Sequence, residues 1–320
     1  MDFRRLLLAL SLSFGFIFVW QTFFMPIPLT EKPQSDELVE TDPDKTIATI
    51  DQNVEVDKTN QLISLDWGRP VSIQTQLMAI DLNNGGTSIQ NLEIIESHHK
   101  KLDELKHTGA WNKNTNLYDK DAPVKLLASQ TCNPCLVENG QIILFNTNNM
   151  IYDYNKSEKI HLVESSHDSG IKKTTIINDT SYVIDHIFIG LNTTKTYNLM
   201  WNNGLEPSEK NIKDDLTVLS IFAEKDKSYH LETLSDINEI FNYTNVGWAG
   251  LKTKYFIKAI TNQKYQSNKK NPVQFHSKES NLYTNSKFIY TDINFDYGVG
   301  NEMIHTYSYI GPIDTEHLSA

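Results

Sequence analysis

Two cysteines are the residues of this chain best suited to chemistry. Cys132 and Cys135 are the only cysteines in the sequence, and they are spaced as Cys-Asn-Pro-Cys. Such a pair carries thiol exchange where a helix N-terminus lowers the pKa of one thiol, but the flanking residues here are typical of strands and turns. Zinc would need two further ligands. We therefore expect either a small surface disulfide in an oxidising compartment or two unreactive thiols.

Histidines and a carboxylate form a second group if the segment from Ile94 to His107 is helical. His99, Asp103 and His107 then share one face with His98 beside them, and imidazole with carboxylate can hold a divalent metal. Charged residues crowd the same segment, namely Lys100, Lys101, Glu104 and Lys106. Because cations beside a metal oppose its binding, a solvated charged face is the preferred interpretation.

The common catalytic signatures are absent from the sequence. It contains no Gly-x-Ser-x-Gly motif, no phosphate-binding glycine loop ending in Lys-Ser or Lys-Thr, and no His-Glu-x-x-His pair. We predict that the chain is not an enzyme and takes no cofactor or metal. The formal net charge of -11 also argues against a nucleic-acid partner, since phosphate binding requires a basic surface.

An apolar run from Leu6 to Met25 follows Arg4 and Arg5 and ends at Pro26. At about 1.5 Å per residue, a helix of this length spans roughly 30 Å of hydrocarbon. Cleaved signal peptides have shorter apolar cores and small residues at the cleavage site. We therefore predict an uncleaved transmembrane anchor over residues 1–26, with the two arginines holding the N-terminus in the cytoplasm. A cleaved leader is the alternative.

The segment from 27 to 66 is rich in acidic residues and poor in aromatic ones. It cannot bury enough apolar surface to offset its ordering entropy, which predicts a flexible acidic linker. The folded domain is then expected over residues 67–320.

Strands are the main expectation within that domain. Val71 to Leu77 alternates apolar and polar residues, and Ile80 to Leu82 continues the pattern before Asn83-Asn84-Gly85-Gly86, a strong hairpin signal. Similar runs lie at Gln141 to Phe145, Lys159 to Val163, Ile171 to Asn178, Tyr182 to Leu191, Thr196 to Trp201, Thr217 to Phe222, Tyr229 to Thr233, Lys287 to Asn294 and Met303 to Ile310. Turns separate them too closely for helices, which predicts a mainly β protein built as a large antiparallel β-sandwich. The segments Ile94 to His107 and Asp236 to Tyr243 are the only fair helix candidates.

The stretch from Val246 to Ile260 is predicted to form a buried central strand with a close backbone approach at Gly247. Within it, Gly247-Trp248 and Lys254-Tyr255-Phe256 resemble the Gly-Trp and Gln-Tyr-Phe signature in the periplasmic domain of bacterial members of the YidC/Oxa/Alb family of membrane protein insertases. We expect these residues to be structural, because aromatic and small residues in a strand are typical of core packing.

Three further elements resemble the same family in the same order. The N-terminus, with Arg4, Arg5, the apolar run and Trp20-Gln21, is similar to the family's first transmembrane segment. The stretch from Ile80 through Gly85 and Gly86 to Leu92 resembles the opening hairpin of the periplasmic domain. Tyr309-Ile310-Gly311-Pro312 is similar to the Gly-Pro that closes that domain. Together the four elements cover nearly the whole chain.

The resemblance implies an inner-membrane protein with one N-terminal span and a periplasmic β super-sandwich, related in shape to mutarotase-like folds. The implied partners are the lipid bilayer, Sec translocon subunits and nascent membrane proteins. In the family, five further transmembrane helices form the insertase core, and we expect that core to be absent from this chain, which runs to Ala320.

Two functions follow as expectations. The first is a membrane protein insertase or chaperone role, in which the anchored domain docks translocon partners or nascent chains through exposed strand edges. The alternative is a sugar-binding or mutarotase-like β-sandwich anchored at the membrane. That alternative depends on fold analogy alone, and a fold does not determine a function.

Overall fold

The computed structural model describes residues 70–83, 88–95, 109–112, 117–120, 122–127, 132–145, 150–202, 204–209, 214, 217–225, 228–233, 239–261, 271–280 and 288–314. The predicted anchor over 1–26 and the predicted linker over 27–66 lie outside these residues. Within the described ranges, no helix is long and apolar enough to cross a membrane.

Antiparallel strands make up nearly all of the regular structure in the described ranges, and the prediction of a mainly β, sandwich-like protein is confirmed. The largest sheet has 14 strands. Twelve of them follow the order β8-β7-β13-β19-β18-β16-β17-β20-β12-β11-β10-β9, while β14 branches from β16 and carries β15. Their bounds are β7 (Cys135–Glu138), β8 (Gln141–Ile142), β9 (Ile151–Asn155), β10 (Ile160–Ser166), β11 (Lys172–Asn178), β12 (Val183–Ile189), β13 (Tyr197–Trp201), β14 (Ser220–Lys225), β15 (Ser228–Thr233), β16 (Ile240–Lys252), β17 (Phe256–Thr261), β18 (Asn271–Ser280), β19 (Phe288–Gly298) and β20 (Met303–Pro312).

A 4-stranded sheet has the order β1-β2-β3-β6. Its strands are β1 (Val71–Gln74), β2 (Met78–Leu82), β3 (Ile89–Ile94) and β6 (Val124–Leu127). A separate pair joins β4 (Ala110–Asn112) to β5 (Leu117–Asp119). The predicted hairpin around residues 80–92 is present as β2 paired with β3, although Gly85 and Gly86 themselves lie outside the described residues.

The predicted strand from Val71 to Leu77 is interrupted by a turn. Thr75 ends the alternation, because its hydroxyl accepts hydrogen bonds from the amides of Leu77 (3.1 Å) and Met78 (2.8 Å). A side chain that satisfies nearby backbone groups favours a turn over a continued ladder. The chain therefore reverses, and Gln74 pairs with Ala79.

The helix predicted from Asp236 to Tyr243 is wrong where the structure describes it. Residues 240–243 belong to β16, and Phe241 pairs with Phe275 of β18. Exposure alternates along these residues, with Phe241 and Tyr243 packed against the core. Cross-strand packing has overridden local propensity here. The other helix candidate, from Ile94 to His107, lies mostly outside the described residues, and Ile94 itself ends β3.

The stretch from Val246 to Ile260 forms two strands rather than one. The chain turns at Thr253, whose hydroxyl accepts a hydrogen bond from the Phe256 amide at 3.3 Å, so that β16 and β17 form a hairpin. The close backbone approach also lies at Gly250 and not at Gly247. A methyl group on Gly250 would lie 2.9 Å from the Ala259 Cα and nearer still to the Lys258 carbonyl oxygen.

Two hydrophobic clusters share the strands of the large sheet. Core cluster 1 contains Phe188, Ile260 and Ile304 together with side chains from β13, β14, β16, β18 and β19. Core cluster 2 lies where the small sheet packs on the large one and includes residues such as Ile184, Phe256 and Ile310. Strands β12, β17 and β20 therefore contribute to both clusters, and the residues between their two apolar ends lie at the boundary.

We predict that Gly250→Ala lowers the free energy of unfolding by about 1–3 kcal/mol, because the new methyl group overlaps fixed backbone of β17. Urea unfolding of the purified domain measures this change. Gly247→Ala is the matched control, since the nearest atoms there belong to the carboxylate of Glu224, which can rotate away. Equal losses for the two variants would contradict the assignment of the close approach to Gly250.

Candidate functional site

A row of buried polar side chains crosses the inner face of the large sheet between the two core clusters. Alternation along the strands places these residues on the same face as the apolar residues of the core. The row consists of Lys173 and Thr175 on β11, His186 on β12, Lys258 on β17, and Thr306 and Ser308 on β20, each with 0% exposure. We refer to this set as the polar row.

Lys258 has its ammonium group inside the protein. Its Nζ donates to the Asn133 side-chain oxygen at 2.5 Å and to the Asn202 carbonyl oxygen at 3.3 Å. It also lies 5.8 Å from the centre of the Trp201 ring, where a cation–π attraction contributes. Burial lowers the pKa of Lys258 to about 7, against a smaller opposing effect of the Asp292 charge.

Lys173 lies in a similar environment on β11. Its Nζ donates to the Pro134 carbonyl oxygen at 3.1 Å and lies 5.3 Å from the centre of the Phe188 ring. Burial lowers the pKa of this lysine to about 7 as well. Two amines that are poised between charged and neutral forms near neutral pH therefore lie in one region of the interior.

His186 completes the titratable part of the polar row. Its Nε2 lies 3.0 Å from the Ser308 hydroxyl, and its ring packs edge-on against Trp201 at 5.2 Å. Burial holds the pKa of His186 well below its usual value, and the positive charges of Lys173 and His305 lower it further. The imidazole is therefore neutral at pH 7 and does not add a third charge.

One acceptor for each lysine comes from the segment Cys132–Cys135, which we call the disulfide loop. Its two cysteines form a disulfide and are 0% and 3% exposed. The sequence predicted a disulfide at the surface, and that placement is wrong because the disulfide is buried. The loop also contacts neighbouring backbone, because the Asn202 amide donates to the Cys132 carbonyl oxygen at 2.7 Å. The cysteines pack with Val137 and Met200 in a small apolar cluster.

A second polar group lies at the edge of the large sheet. It contains Tyr152 and Tyr154 of β9, His161 of β10 and Asp179 after β11, and we call it the tyrosine–histidine cluster. The His161 Nε2 lies 2.7 Å from a carboxylate oxygen of Asp179, and its Nδ1 lies 2.9 Å from the Tyr152 hydroxyl. The Tyr154 hydroxyl donates to Asp179 at 2.8 Å, and its ring stacks on His161 at 4.5 Å.

This cluster fastens the edge strand to the sheet. Burial, followed by the charges of Asp179 and Asp153, raises the pKa of Tyr152, so its hydroxyl stays protonated and can donate. Strand β9 pairs with β10 on one side, and no described strand lies on its other side. Ile151 and Tyr152 are 59% and 47% exposed. The result is an ordered strand edge with apolar and aromatic side chains at the surface.

The family-motif residues of β16 and of the turn after it lie at or near the surface of the domain. Trp248 is half-buried and packs on Phe222 and Tyr229, at 5.1 and 5.8 Å between ring centres, while Gly247 lies against the side chain of Glu224. Tyr255 is 49% exposed with the Lys254 ammonium over its ring.

Two of the predicted motifs meet in space. Phe256, at the start of β17, pairs with Pro312 at the end of β20, and Gly311 pairs with the next residue of β17. Phe256 is buried in core cluster 2, and Gly311 lets the backbone approach the ring of Tyr182. The hydroxyl of Tyr309 donates to the Pro312 carbonyl oxygen at 2.6 Å. These contacts are packing contacts, whereas Arg4, Arg5, Gly85 and Gly86 lie outside the described residues.

Within the described ranges, no three His, Cys, Asp or Glu residues are grouped as a metal site. His98, His99, Asp103 and His107 lie outside those ranges. The polar row was not found from the sequence, although a signal was present. Lys258 lies two residues from each of the inward-facing Phe256 and Ile260, and Lys173 lies two residues before Thr175. Because side chains two residues apart in a strand share a face, the sequence already placed both lysines on the core side.

Comparison with known proteins supports the resemblance seen in the motifs. The chain is 22% identical over 285 residues to the membrane protein insertase YidC of Laribacter hongkongensis, which covers 81% of this chain and 47% of that protein. The chain thus spans about half the length of this curated relative. No protein-family model matches the chain. The predicted resemblance to YidC is confirmed by this sequence relationship.

Solved structures with some similarity are more distant. The periplasmic domain of the Thermotoga maritima YidC aligns with a TM-score of 0.38 at 6% identity, covering 80% of this chain and 89% of that one. The heparan sulfate lyase HepC of Pedobacter heparinus aligns with a TM-score of 0.38 at 8% identity, covering 73% of this chain and 33% of that one. Structural similarities of this size do not identify a shared function.

We predict that the stability of the domain rises with pH between about 7 and 10. The folded-state pKa of each buried lysine is about 7, whereas an unfolded lysine titrates near 10.5, so the unfolded chain binds more protons in this interval. The slope should be up to about 1.4 kcal/mol per pH unit for each lysine. Urea unfolding at pH 7.5, 8.25 and 9 measures it.

Lys258→Met and Lys173→Met are the matched variants for this measurement, since each removes one titrating group and keeps an unbranched side chain. In each variant, the free energy of unfolding should rise less steeply with pH, because one of the two titrating lysines is gone. An unchanged slope in both variants would show that the lysines keep normal pKa values in the folded state.

Proposed function

We propose that this chain, which is related in sequence to the YidC insertases, is the anchor and periplasmic part of a YidC-like membrane protein insertase. Its role would be to aid the insertion and folding of inner-membrane proteins. The similarity to the Laribacter hongkongensis protein over 81% of the chain is the observation that carries this proposal. The match covers 47% of that protein. Insertase activity belongs to the whole relative, so for this chain it is proposed and not shown.

The proposed domain organisation follows from the sequence. Residues 1–26 anchor the chain in the inner membrane, residues 27–66 form an acidic linker, and residues 67–320 form the periplasmic domain. Arg4 and Arg5 before an apolar run support an N-terminus in the cytoplasm and a domain on the opposite side. A large twisted super-sandwich is the proposed form of that domain, and its antiparallel sheets agree with this.

The proposed action of the domain is docking and not catalysis. The partners are Sec translocon subunits and nascent membrane proteins, while the anchor contacts the lipid bilayer. The edge of β9 supports this role, because a strand that no described strand pairs with on its outer side can accept an extended peptide as an additional strand. Exposed Ile151 and Tyr152 would contact apolar side chains of such a peptide. The tyrosine–histidine cluster keeps the edge in place before a partner arrives.

Photo-crosslinking from the edge strand tests the docking role. We predict that a photoreactive residue at Ile151 labels a translocon subunit or a translocating chain in native membranes. The same residue at Asp168, which is exposed in the turn between β10 and β11, is the control and should label far less. Equal labelling from both positions, or labelling of neither class of protein, would remove the support for docking at β9.

Depletion of the full-length protein tests the insertase role itself. We predict that cells depleted of it insert a short-tailed inner-membrane protein several-fold more slowly, as measured by protease accessibility of the newly made segment. Re-expression of the wild-type gene is the control. Normal insertion after complete depletion would overturn the insertase role and would leave the docking result to be explained differently.

A further inference from the structure

The disulfide loop is bonded to the small sheet and to two distant parts of the large sheet. The Asn133 amide donates to the Ser88 hydroxyl, and the Ile89 amide at the start of β3 donates to the Asn133 carbonyl oxygen at 3.0 Å. These two bonds attach the loop to the small sheet. On the other side, Lys173 of β11 and Lys258 of β17 donate to Pro134 and Asn133.

Each of the two lysines has one acceptor in this loop, and Lys258 has a second in the Asn202 carbonyl oxygen. A buried ammonium group is costly unless oxygen atoms accept its hydrogen bonds, and adjacent residues of the loop supply one acceptor to each lysine. The other charged or titratable groups that act on the polar row are His186 on β12, Asp292 on β19 and His305 on β20.

Among the described residues, several buried polar atoms around the disulfide loop lack a hydrogen-bond partner. These four atoms are Asn133 Nδ2, His186 Nδ1, Trp201 Nε1 and Asn202 Oδ1. The loop is held in part by apolar packing of its cysteines and by backbone hydrogen bonds from Asn202 and Ile89. The covalent bond between Cys132 and Cys135 adds a further restraint on the two acceptors.

We propose that Cys132 and Cys135 are a redox-dependent junction. Oxidation by a protein or small-molecule disulfide closes the loop, and the closed loop holds one acceptor of each buried lysine and joins the small sheet to the large one. This role does not depend on the insertase function proposed above, because it concerns the folding of the domain itself.

The oxidation is a two-step thiol–disulfide exchange. The thiolate of one cysteine attacks the partner's disulfide, which forms a mixed disulfide and releases one partner thiolate. The thiolate of the second cysteine then attacks the cysteine sulfur of the mixed disulfide, which forms the Cys132–Cys135 bond and releases the other partner thiolate. The two cysteines give up two electrons and two protons in total, and the partner leaves as two thiols.

Burial determines when this exchange can occur. Cys132 is 0% and Cys135 is 3% exposed, and the residues between them are also buried. An attacking thiol cannot reach either sulfur in the folded domain. Oxidation therefore precedes closure of the junction, and the folded domain should resist dithiothreitol that reduces the disulfide readily in urea.

The test compares the full-length chain in detergent after refolding with the disulfide either kept or reduced, using oxidised glutathione to restore it. Chain entropy alone predicts a roughly 20-fold fall in the folding equilibrium constant for the reduced form. The rise of stability with pH should also become shallower on reduction, because the lysines regain solvent. Amide exchange should accelerate more at Ile89 and Asn202, which donate to the loop, than at Phe256, which donates to Thr253 and reports the overall loss of stability.

The variant Lys173→Met/Lys258→Met separates this junction from an ordinary stabilising disulfide. Without buried ammonium groups, the domain should lose at least several-fold less of its folding equilibrium constant on reduction than the wild type. If reduced wild-type chain does not fold at all, the double variant should recover folding in the reduced state. The same loss on reduction with and without the lysines, or reduced and oxidised proteins of equal stability, would overturn the proposal.

Discussion

The burial of two lysines at the boundary between the two hydrophobic clusters is the constraint on which the rest of this domain depends. Lys173 and Lys258 occupy positions on β11 and β17 where alternation requires an inward side chain. Removing two ammonium groups from water is tolerable only if oxygen acceptors are held within reach. The disulfide loop provides one acceptor to each lysine, and its location is therefore tied to the chemistry of two strands that are distant from it in sequence.

The same loop explains how a small sheet can be attached to a much larger one. Core cluster 2 supplies non-directional apolar contact between them, while Ser88 and Ile89 supply directional bonds to the loop. Hydrophobic burial contributes most of the favourable free energy of such packing, but it does not select one register. Directional polar bonds, at the loop and also between Gln76 and the Asp179 carbonyl oxygen, are better suited to select the position of one sheet on the other.

The chemistry at the junction and the surface that serves docking are separate. The polar row and the disulfide loop are buried, so they act on the stability and geometry of the domain. The edge of β9 is exposed and ordered by the tyrosine–histidine cluster, which makes it the better surface for a partner. The motif residues that carry the resemblance to YidC belong to neither group, because Phe256, Gly311 and Pro312 make packing contacts where β17 meets β20.

The sequence by itself determined the class of the fold, since period-two alternation reports which face of a strand is buried regardless of its neighbours. It also determined the family resemblance and the one cysteine pair. Local pattern was not enough at Thr75, Thr253 and Gly250, where side-chain hydrogen bonds or a neighbouring strand decide the course of the chain. Only the tertiary structure decided the partners of the buried lysines, because Lys258 and Asn133 are 125 residues apart and Lys173 and Pro134 are 39 apart. Local periodicity shows that a charged side chain faces inward, and only the folded chain shows which oxygen atoms receive it.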